Sequence, residues 1–265
     1  MKAKSLSPYG TLTAQQVADY HQQGYLVVRG LVDLETVEFA KESIDDYIIK
    51  HPLEVSYEEE ILKNRKPEAL TDEERLLAVR GFHQKASSDD RFLRLVKNAS
   101  VSEALVSLLG EDIKVLQDMA LIKPPFIGSE KPLHQDAAYF EIEPFDQVVG
   151  TWWALDRATE ENGCMFVWPG THRLPVVDHA QKEGTPHKVI SPEFMEHFEK
   201  VALPMEPGDV LLFSSRVFHY TPTNRSGSRR RSLQVHYASA HCRLLPGKKA
   251  RSYTLVRGAT QPNGI

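Results

Sequence analysis

The sequence predicts a mainly β fold with flanking helices, in which an antiparallel sandwich or jelly roll follows N-terminal helices. Apolar residues recur at helical spacing in the first part of the chain, whereas short apolar runs separated by turn residues begin near Ile113. Strands at such short intervals are typical of sandwiches and jelly rolls. We expect one domain, 1–265, with a helical part at 12–110, a core at 111–245 and a lid insertion at about 172–200.

Amphipathic spacing predicts three helices in the N-terminal part. The first is capped by a threonine and runs to about His21, the second spans about 33–50, and the third spans 93–109. A short strand over 25–30 separates the first two. The highly charged stretch 55–78 is interpreted as solvated helix and loop.

Turn residues delimit the strands predicted in the second half. The predicted strands are the runs IKVLQDMALIK, QVVGTWWALD, CMFVWP, VLLFSS and RRSLQVHYAS. Asn162-Gly163, between the second and third runs, is interpreted as the turn of a hairpin. The dipeptide Pro169-Gly170 predicts a further turn.

Composition narrows the class of protein. Hydrophobic residues make up 41% and charged residues 26%, as in ordinary soluble proteins, and the net charge of −4 predicts no attraction to nucleic acid or to a membrane surface. Two cysteines, Cys164 and Cys242, cannot build a disulfide framework, which favours a reducing cytoplasm. We find no apolar run of membrane-spanning length and no secretory or peroxisomal signal, so we expect a cytoplasmic location.

A candidate metal-binding pair lies in KPLHQDAAYF, where His134 and Asp136 are two positions apart. In an extended segment, residues i and i+2 point to the same face. Two histidines and one carboxylate are the ligand set of non-haem iron(II) oxygenases, so one further histidine would complete it. Such a pair also arises by chance among eleven histidines. His197 and Glu199 have the same spacing, but their segment is predicted to be helical, where i and i+2 diverge by about 200° and face solvent.

Three residues further along could complete such a site. His219 follows the predicted strand VLLFSS, and Arg230 comes eleven residues later at the start of another strand. An arginine fork can hold a carboxylate through two hydrogen bonds, and the Thr221 hydroxyl can add a third. Taken singly, His219 could be a core histidine and Arg230 a surface charge. Their joint spacing favours one site.

These motifs carry a family resemblance. HQD, ENGCMFVWPGTHR, PGDVLLFSSRVFHYTPTNRSGSRRRS and the opening LTAQQVADYHQQGYLVVRGLV together resemble the phytanoyl-CoA dioxygenase family of iron(II)/2-oxoglutarate oxygenases, over roughly residues 12–245. The resemblance implies a double-stranded β-helix, the cupin-like jelly roll. It also implies that His134, Asp136 and His219 are the iron ligands and the catalytic residues.

The resemblance implies a co-substrate site as well. Arg230 and Thr221 would hold 2-oxoglutarate, and Met119 and Trp152 would line its pocket by their position in matching motifs. Arg80 stands where relatives often carry a lysine near the co-substrate.

Four other histidines are expected to have no ligand role. His172, in PGTHR, is expected to be structural or to support the site from outside the metal ligands. His83, His236 and His241 are expected to be ordinary, although alternation along the strand could point His236 into the barrel.

The implied reaction is hydroxylation of a small molecule by O2, with conversion of 2-oxoglutarate to succinate and CO2. Asp136 argues against iron halogenases, which leave the carboxylate position empty. Tyr139, Phe140 and Trp153 are candidate aromatic walls of a substrate site, but substrate and oligomeric state stay open. The alternatives are a cupin-type metal enzyme without 2-oxoglutarate, which needs no carboxylate clamp such as Arg230, and a non-catalytic binding module.

Overall fold

The computed structural model describes residues 10–63, 65–181, 188–190, 192–195, 197–249, 252–261 and 264–265. The α-helices of these ranges are α1 Ala14–Gln23, α2 Leu34–Lys50, α3 Glu59–Leu62, α4 Asp72–Leu76, α5 Asp90–Val96 and α6 Ala99–Leu109. The strands are β1 Tyr25–Val28, β2 Ser56–Tyr57, β3 Val79–His83, β4 Ile113–Lys123, β5 Lys131–His134, β6 Ile142–Glu143, β7 Val148–Ala154, β8 Met165–Trp168, β9 His179–Gln181, β10 Lys188–Ile190, β11 Val201–Leu203, β12 Val210–Ser214, β13 Phe218–Thr221, β14 Arg230–Ser239, β15 Arg243–Leu244 and β16 Leu255–Arg257. The 3-10 helices are Pro67–Ala69, Asp136–Tyr139, Phe145–Gln147, Thr171–Arg173 and Pro192–Met195.

Two antiparallel sheets form the core. The larger follows the order β1-β12-β7-β14-β4-β3-β2, with β16 also paired to β4, and the smaller follows the order β11-β8-β13-β5. Trp152 and Phe213 of the larger sheet share a buried cluster with Met165 and Val167 of the smaller one. The sheets therefore pack face to face, which confirms the predicted mainly β fold with flanking helices.

The N-terminal helices cover the other face of the larger sheet. Ile44 of α2 and Leu105 of α6 are fully buried and belong to the same cluster as Trp153 and Val235 of the sheet. Every residue of β7 is buried, as expected for a strand that is covered on both faces. Among the helices of the described ranges, none combines the length and apolar character that crossing a bilayer requires.

Side-chain caps place the helix ends. Thr13 and Gln16 form a capping box at the start of α1, and Gly24 ends it in the left-handed conformation. The single helix predicted over 93–109 is wrong. The Asn98 side chain accepts a hydrogen bond from the Val101 amide at 3.1 Å and starts a new helix there, because asparagine is a preferred N-cap residue.

The hairpin predicted at Asn162-Gly163 is also wrong, because β7 and β8 lie in different sheets. Asn162 instead closes its own loop. Its side-chain oxygen accepts from the Thr159 amide at 2.8 Å, and its amide nitrogen donates to the Arg157 carbonyl at 2.8 Å. Turn chemistry was therefore identified correctly, but it does not say whether the flanking strands pair.

The insertion predicted at 172–200 lies partly outside the described residues. Its described part contains β9, β10 and the 3-10 helix Pro192–Met195, where the sequence predicted an α-helix reaching His197 and Glu199. Its role as a lid stays a prediction.

The glycine that ends α1 offers a test of this packing. A Cβ on Gly24 would lie 2.4 Å from Nδ1 of His172, whereas a Cβ on Gly30 would meet nothing within 4 Å, and both glycines have positive φ. Gly30→Ala should therefore cost roughly 1–2 kcal/mol of unfolding free energy from backbone strain alone, and Gly24→Ala should cost clearly more. Urea unfolding followed by circular dichroism measures both. Equal losses would contradict the close approach of His172.

Candidate active site

The register between β5 and β13 places two histidines side by side. His134 is the direct cross-strand partner of His219, and their ring centroids are 4.1 Å apart. Both side chains are buried. Residues directly opposite on antiparallel strands point to the same face, so both imidazoles enter the space between the sheets.

Asp136 joins them from a turn rather than from a strand. β5 ends at His134, Gln135 stays extended, and Asp136 opens a 3-10 helix, so the predicted extended segment is one residue shorter than expected. The Asp136 carboxylate lies 3.3 Å from Nε2 of His134 and 3.6 Å from Nε2 of His219. One candidate ligand atom from each of the three residues lies within 4.8 Å of the others, so they could hold a metal ion.

Backbone carbonyl groups determine which ring nitrogen of each imidazole carries the proton. Nδ1 of His134 faces the Pro132 carbonyl at 2.7 Å, and Nδ1 of His219 faces the Val217 carbonyl at 3.1 Å. Because a carbonyl can only accept, each Nδ1 carries the proton and each Nε2 keeps its lone pair toward Asp136. Burial and the neighbouring His134 lower the pKa of His219 to about 3, which keeps it neutral at physiological pH.

His236 contacts the carboxylate from the larger sheet, although the sequence analysis treated it as ordinary. Its Nε2 lies 2.7 Å from Asp136 Oδ2, and its Nδ1 lies 3.0 Å from the side-chain amide nitrogen of Gln117. An amide nitrogen only donates, so Nε2 of His236 carries the proton and donates it to the carboxylate. Burial acts to raise the pKa of Asp136, but the surrounding imidazoles, His236 foremost, hold it well below its usual value.

Arg230 lies at the other end of the same space. It is fully buried, its guanidinium lies 5.0 Å from the ring centre of Trp152, and its Nη1 donates to the Ser232 hydroxyl at 3.4 Å. Its Nε is buried without a hydrogen-bond partner. Burial lowers the pKa of Arg230 to about 10, so it is charged at neutral pH. A buried guanidinium with unused donors fits a carboxylate ligand.

One cavity of about 420 Å³ brings these groups together. Its lining includes every site residue predicted from the sequence: His134, Asp136, His219, Arg230, Thr221, Trp152, Met119 and Arg80. It also includes ionisable residues that the sequence analysis did not identify as site residues: Glu58, His83, Lys123, Glu130 and Lys131. Glu58 was assigned to a solvated segment, but it is buried and accepts hydrogen bonds from Ser129.

The aromatic walls are only partly as expected. Tyr139 and Phe140 line the cavity, but Trp153 does not. Trp153 belongs to the cluster under the helices, and its Nε1 donates to the Thr151 hydroxyl at 3.1 Å. Since neighbouring residues of a strand point to opposite faces, Trp152 and Trp153 could not both face the cavity.

Histidines outside the cavity have other surroundings. Nε2 of His172 donates to the His21 carbonyl at 3.0 Å and ties the Thr171–Arg173 turn to α1, in agreement with the expected structural role. His197 and Glu199 are exposed, as expected of a solvent-facing pair. His241 is exposed and lies 3.4 Å from Asp112.

The fold and site define an iron(II)/2-oxoglutarate-dependent dioxygenase. A sequence model described as Phytanoyl-CoA dioxygenase (PhyH) matches residues 20–232. The chain belongs to this family, which confirms the resemblance found in its motifs.

Curated relatives extend over most of the chain. The human peroxisomal phytanoyl-CoA dioxygenase is 28% identical over 95% of this chain and 73% of its own length. The probable phytanoyl-CoA dioxygenase of Caenorhabditis elegans is 27% identical over 94% of this chain and 80% of its own. The Arabidopsis thaliana phytanoyl-CoA dioxygenase is 25% identical over 86% and 89% of the two chains.

Solved structures share the fold. EctD from S. alaskensis with bound Fe has a TM-score of 0.71 and 19% identity, covering 99% of this chain and 90% of its own. The non-heme alpha ketoglutarate dependent carbocyclase SnoK from nogalamycin biosynthesis has a TM-score of 0.71 and 19% identity, covering 96% of this chain and 100% of its own. At these identities the likeness shows the fold alone.

Metal binding should depend on Asp136 directly and on His236 indirectly. Under anaerobic conditions iron(II) should raise the melting temperature of the wild type, because a ligand that binds only the folded state stabilises it. Asp136→Ala should lose this shift. His236→Ala should keep it, with metal affinity weakened about 10–100-fold.

His197→Ala is the matched control, because that histidine is exposed and lies outside the cavity. Its metal-dependent shift should equal that of the wild type. A full shift in Asp136→Ala would contradict the site.

Proposed function

We propose that the protein hydroxylates an unactivated C–H bond of a small molecule while 2-oxoglutarate is converted to succinate and CO2. One observation carries the proposal: a buried His–Asp–His group and the buried Arg230 line a single cavity. Two imidazoles and one carboxylate suit iron(II) and leave coordination positions open. A buried arginine suits the far carboxylate of a dicarboxylic acid.

The proposed roles follow from the side-chain chemistry. His134 and His219 would hold iron(II) through Nε2, and Asp136 through a carboxylate oxygen. Arg230 and Thr221 would bind the distal carboxylate of 2-oxoglutarate, because both line the cavity and both are hydrogen-bond donors. Trp152 would pack against the guanidinium of Arg230, because its ring centre lies 5.0 Å from it. Met119 and Arg80 would complete the lining of this co-substrate site.

Bound iron supplies the activation of O2 and the delivery of one oxygen atom to the substrate. The chain itself orients the reactants and excludes water. His236 and Gln234 hold the Asp136 carboxylate from one side, at 2.7 and 3.5 Å. An aspartate at this position favours oxygen transfer over halide transfer, because it fills the place that a halide would take.

The described part of the insertion supports its proposed role as a lid. The Gln135 amide donates to Nε2 of His179 at 2.9 Å, and the Gln135 side chain accepts from the Val177 amide at 2.9 Å. The segment is therefore attached to the residue that lies between His134 and Asp136. A cover fixed at this point would exclude water close to the metal site.

The substrate is proposed only as a small molecule. The cavity of about 420 Å³ has to hold the co-substrate and the reacting part of the substrate. The relatives include phytanoyl-CoA dioxygenases, and one EctD structure contains 5-hydroxyectoine. Tyr139 and Phe140 would form aromatic walls. We propose the cytoplasm as the compartment, because Cys164 and Cys242 are both free thiols. The human relative is a peroxisomal protein.

Succinate formation tests this function. The anaerobic protein with iron(II) and 2-oxoglutarate, exposed to isotopically labelled O2, should produce succinate that carries one labelled oxygen atom. Asp136→Ala should form none. Arg230→Met should raise the KM for 2-oxoglutarate about 100-fold or more, because a buried charge partner is removed.

Arg229→Met is the control for the arginine. Arg229 is adjacent in sequence, but its guanidinium pairs with Asp45, and it does not line the cavity. Its KM should stay near the wild-type value. Iron-loaded wild-type protein that forms no succinate in air would overturn the proposed function.

A further inference from the structure

Two buried cations lie side by side at one end of the cavity. Lys123, the last residue of β4, is the direct cross-strand partner of Arg230, the first residue of β14. Directly opposed residues point to the same face of a sheet, and both side chains line the cavity. Their exposed fractions are 5% and 2%, so water neutralises neither charge effectively.

Neither cation has a carboxylate at ion-pair distance among the described residues. Nζ of Lys123 donates to the Ser129 carbonyl at 2.5 Å, and Nη1 of Arg230 donates to the Ser232 hydroxyl at 3.4 Å. Both acceptors are neutral, and Nε of Arg230 has no partner. A buried charge without a counter-charge is costly, and two like charges on opposed residues add repulsion.

The ionisation of Lys123 reflects this cost. Burial, followed by the neighbouring Arg230, lowers the pKa of Lys123 well below its usual value, and together they outweigh the opposing effect of the Glu58 and Glu130 carboxylates. An anion between the two side chains would supply a counter-charge at ion-pair distance and favour the charged amine. The lysine has three donors and uses one on Ser129, so two stay available for a ligand.

The surrounding loops are shaped to hold the lysine in place. A Cβ on Gly163 would lie 2.6 Å from Cδ of Lys123 and 2.8 Å from its Cε, so glycine leaves space for the side chain. Ser129, whose carbonyl accepts from the amine, is held from its other side by Glu58, at 2.9 Å from the amide and 3.1 Å from the hydroxyl. The position of the amine is therefore fixed before a ligand binds.

We propose that Lys123 is a second cation for the distal carboxylate of 2-oxoglutarate, and that it acts with Arg230 to select a dianionic over a monoanionic 2-oxo acid. The inference rests on the proposed function. A 2-oxo acid without the distal carboxylate would leave both buried cations unpaired, and unpaired buried groups are what give polar sites their selectivity. Lys123 would then determine which co-substrate is accepted.

A change of co-substrate isolates this role. The dissociation constants of 2-oxoglutarate and 2-oxopentanoate, which differ in the distal carboxylate, are measured by calorimetry on the anaerobic iron(II) protein. In the wild type 2-oxoglutarate should bind far more tightly. The selectivity ratio is the dissociation constant of 2-oxopentanoate divided by that of 2-oxoglutarate. In Lys123→Met this ratio should fall about tenfold or more, the effect of one lost charge-assisted hydrogen bond.

Variants separate a charge effect from a packing effect. Lys123→Arg should retain most of the ratio, and Lys123→Gln, which keeps a donor for Ser129 without the charge, should lose it as Lys123→Met does. Arg229→Met removes a cation that is adjacent to Arg230 in sequence but pairs with Asp45 outside the cavity, and it should leave the ratio within about twofold. If Lys123→Met does not fold, Lys123→Gln decides.

The outcomes distinguish this inference from the proposed function. Equal weakening of both ligands in the Lys123 variants would mean that the lysine only supports the Ser129 loop, and would overturn the inference. An unchanged ratio with unchanged affinities would overturn it as well. A wild type that binds iron but not 2-oxoglutarate would overturn the proposed function itself.

Discussion

The site depends on the antiparallel pairing of β5 with β13. This pairing sets His134 directly opposite His219, and the chain reaches Asp136 two residues later. A register slip of one residue would turn one imidazole to the opposite face and break the group. The three side chains are therefore close because backbone hydrogen bonds fix two strands that lie far apart in the sequence.

The larger sheet supplies the other half of the site. Along β14, alternation brings Arg230, Gln234 and His236 to the face that looks at the smaller sheet, while Leu233 and Val235 pack under the helices. The smaller sheet thus contributes the two candidate metal-binding imidazoles, and the larger sheet contributes cations and groups that support the carboxylate. Packing of the helices on the outer face holds the larger sheet in position.

Local signals in the sequence were sufficient for many elements. The threonine cap of the first helix, the extent of α2 and the strand β4 depend on residues within one element, and each agrees with the structure. Predictions were wrong where strand pairing depends on residues that are distant in the sequence. Asn162-Gly163 encodes a turn, but whether its strands pair is decided by β12 and β13.

Motif spacing in the sequence identified candidate metal ligands and a candidate arginine, and these side chains line one cavity. His236 and Lys123 were missed because each contacts a residue distant in sequence: His236 contacts Asp136 from the facing sheet, and Lys123 lies opposite Arg230 on the paired strand. No local pattern reveals such neighbours. The most direct test of the account is the anomalous signal from a crystal soaked with manganese(II) and N-oxalylglycine, an analogue of 2-oxoglutarate. The account predicts one metal on His134, Asp136 and His219, with the distal carboxylate of the analogue on Arg230. A metal that binds His236 in place of Asp136, or that lies outside this cavity, would contradict it.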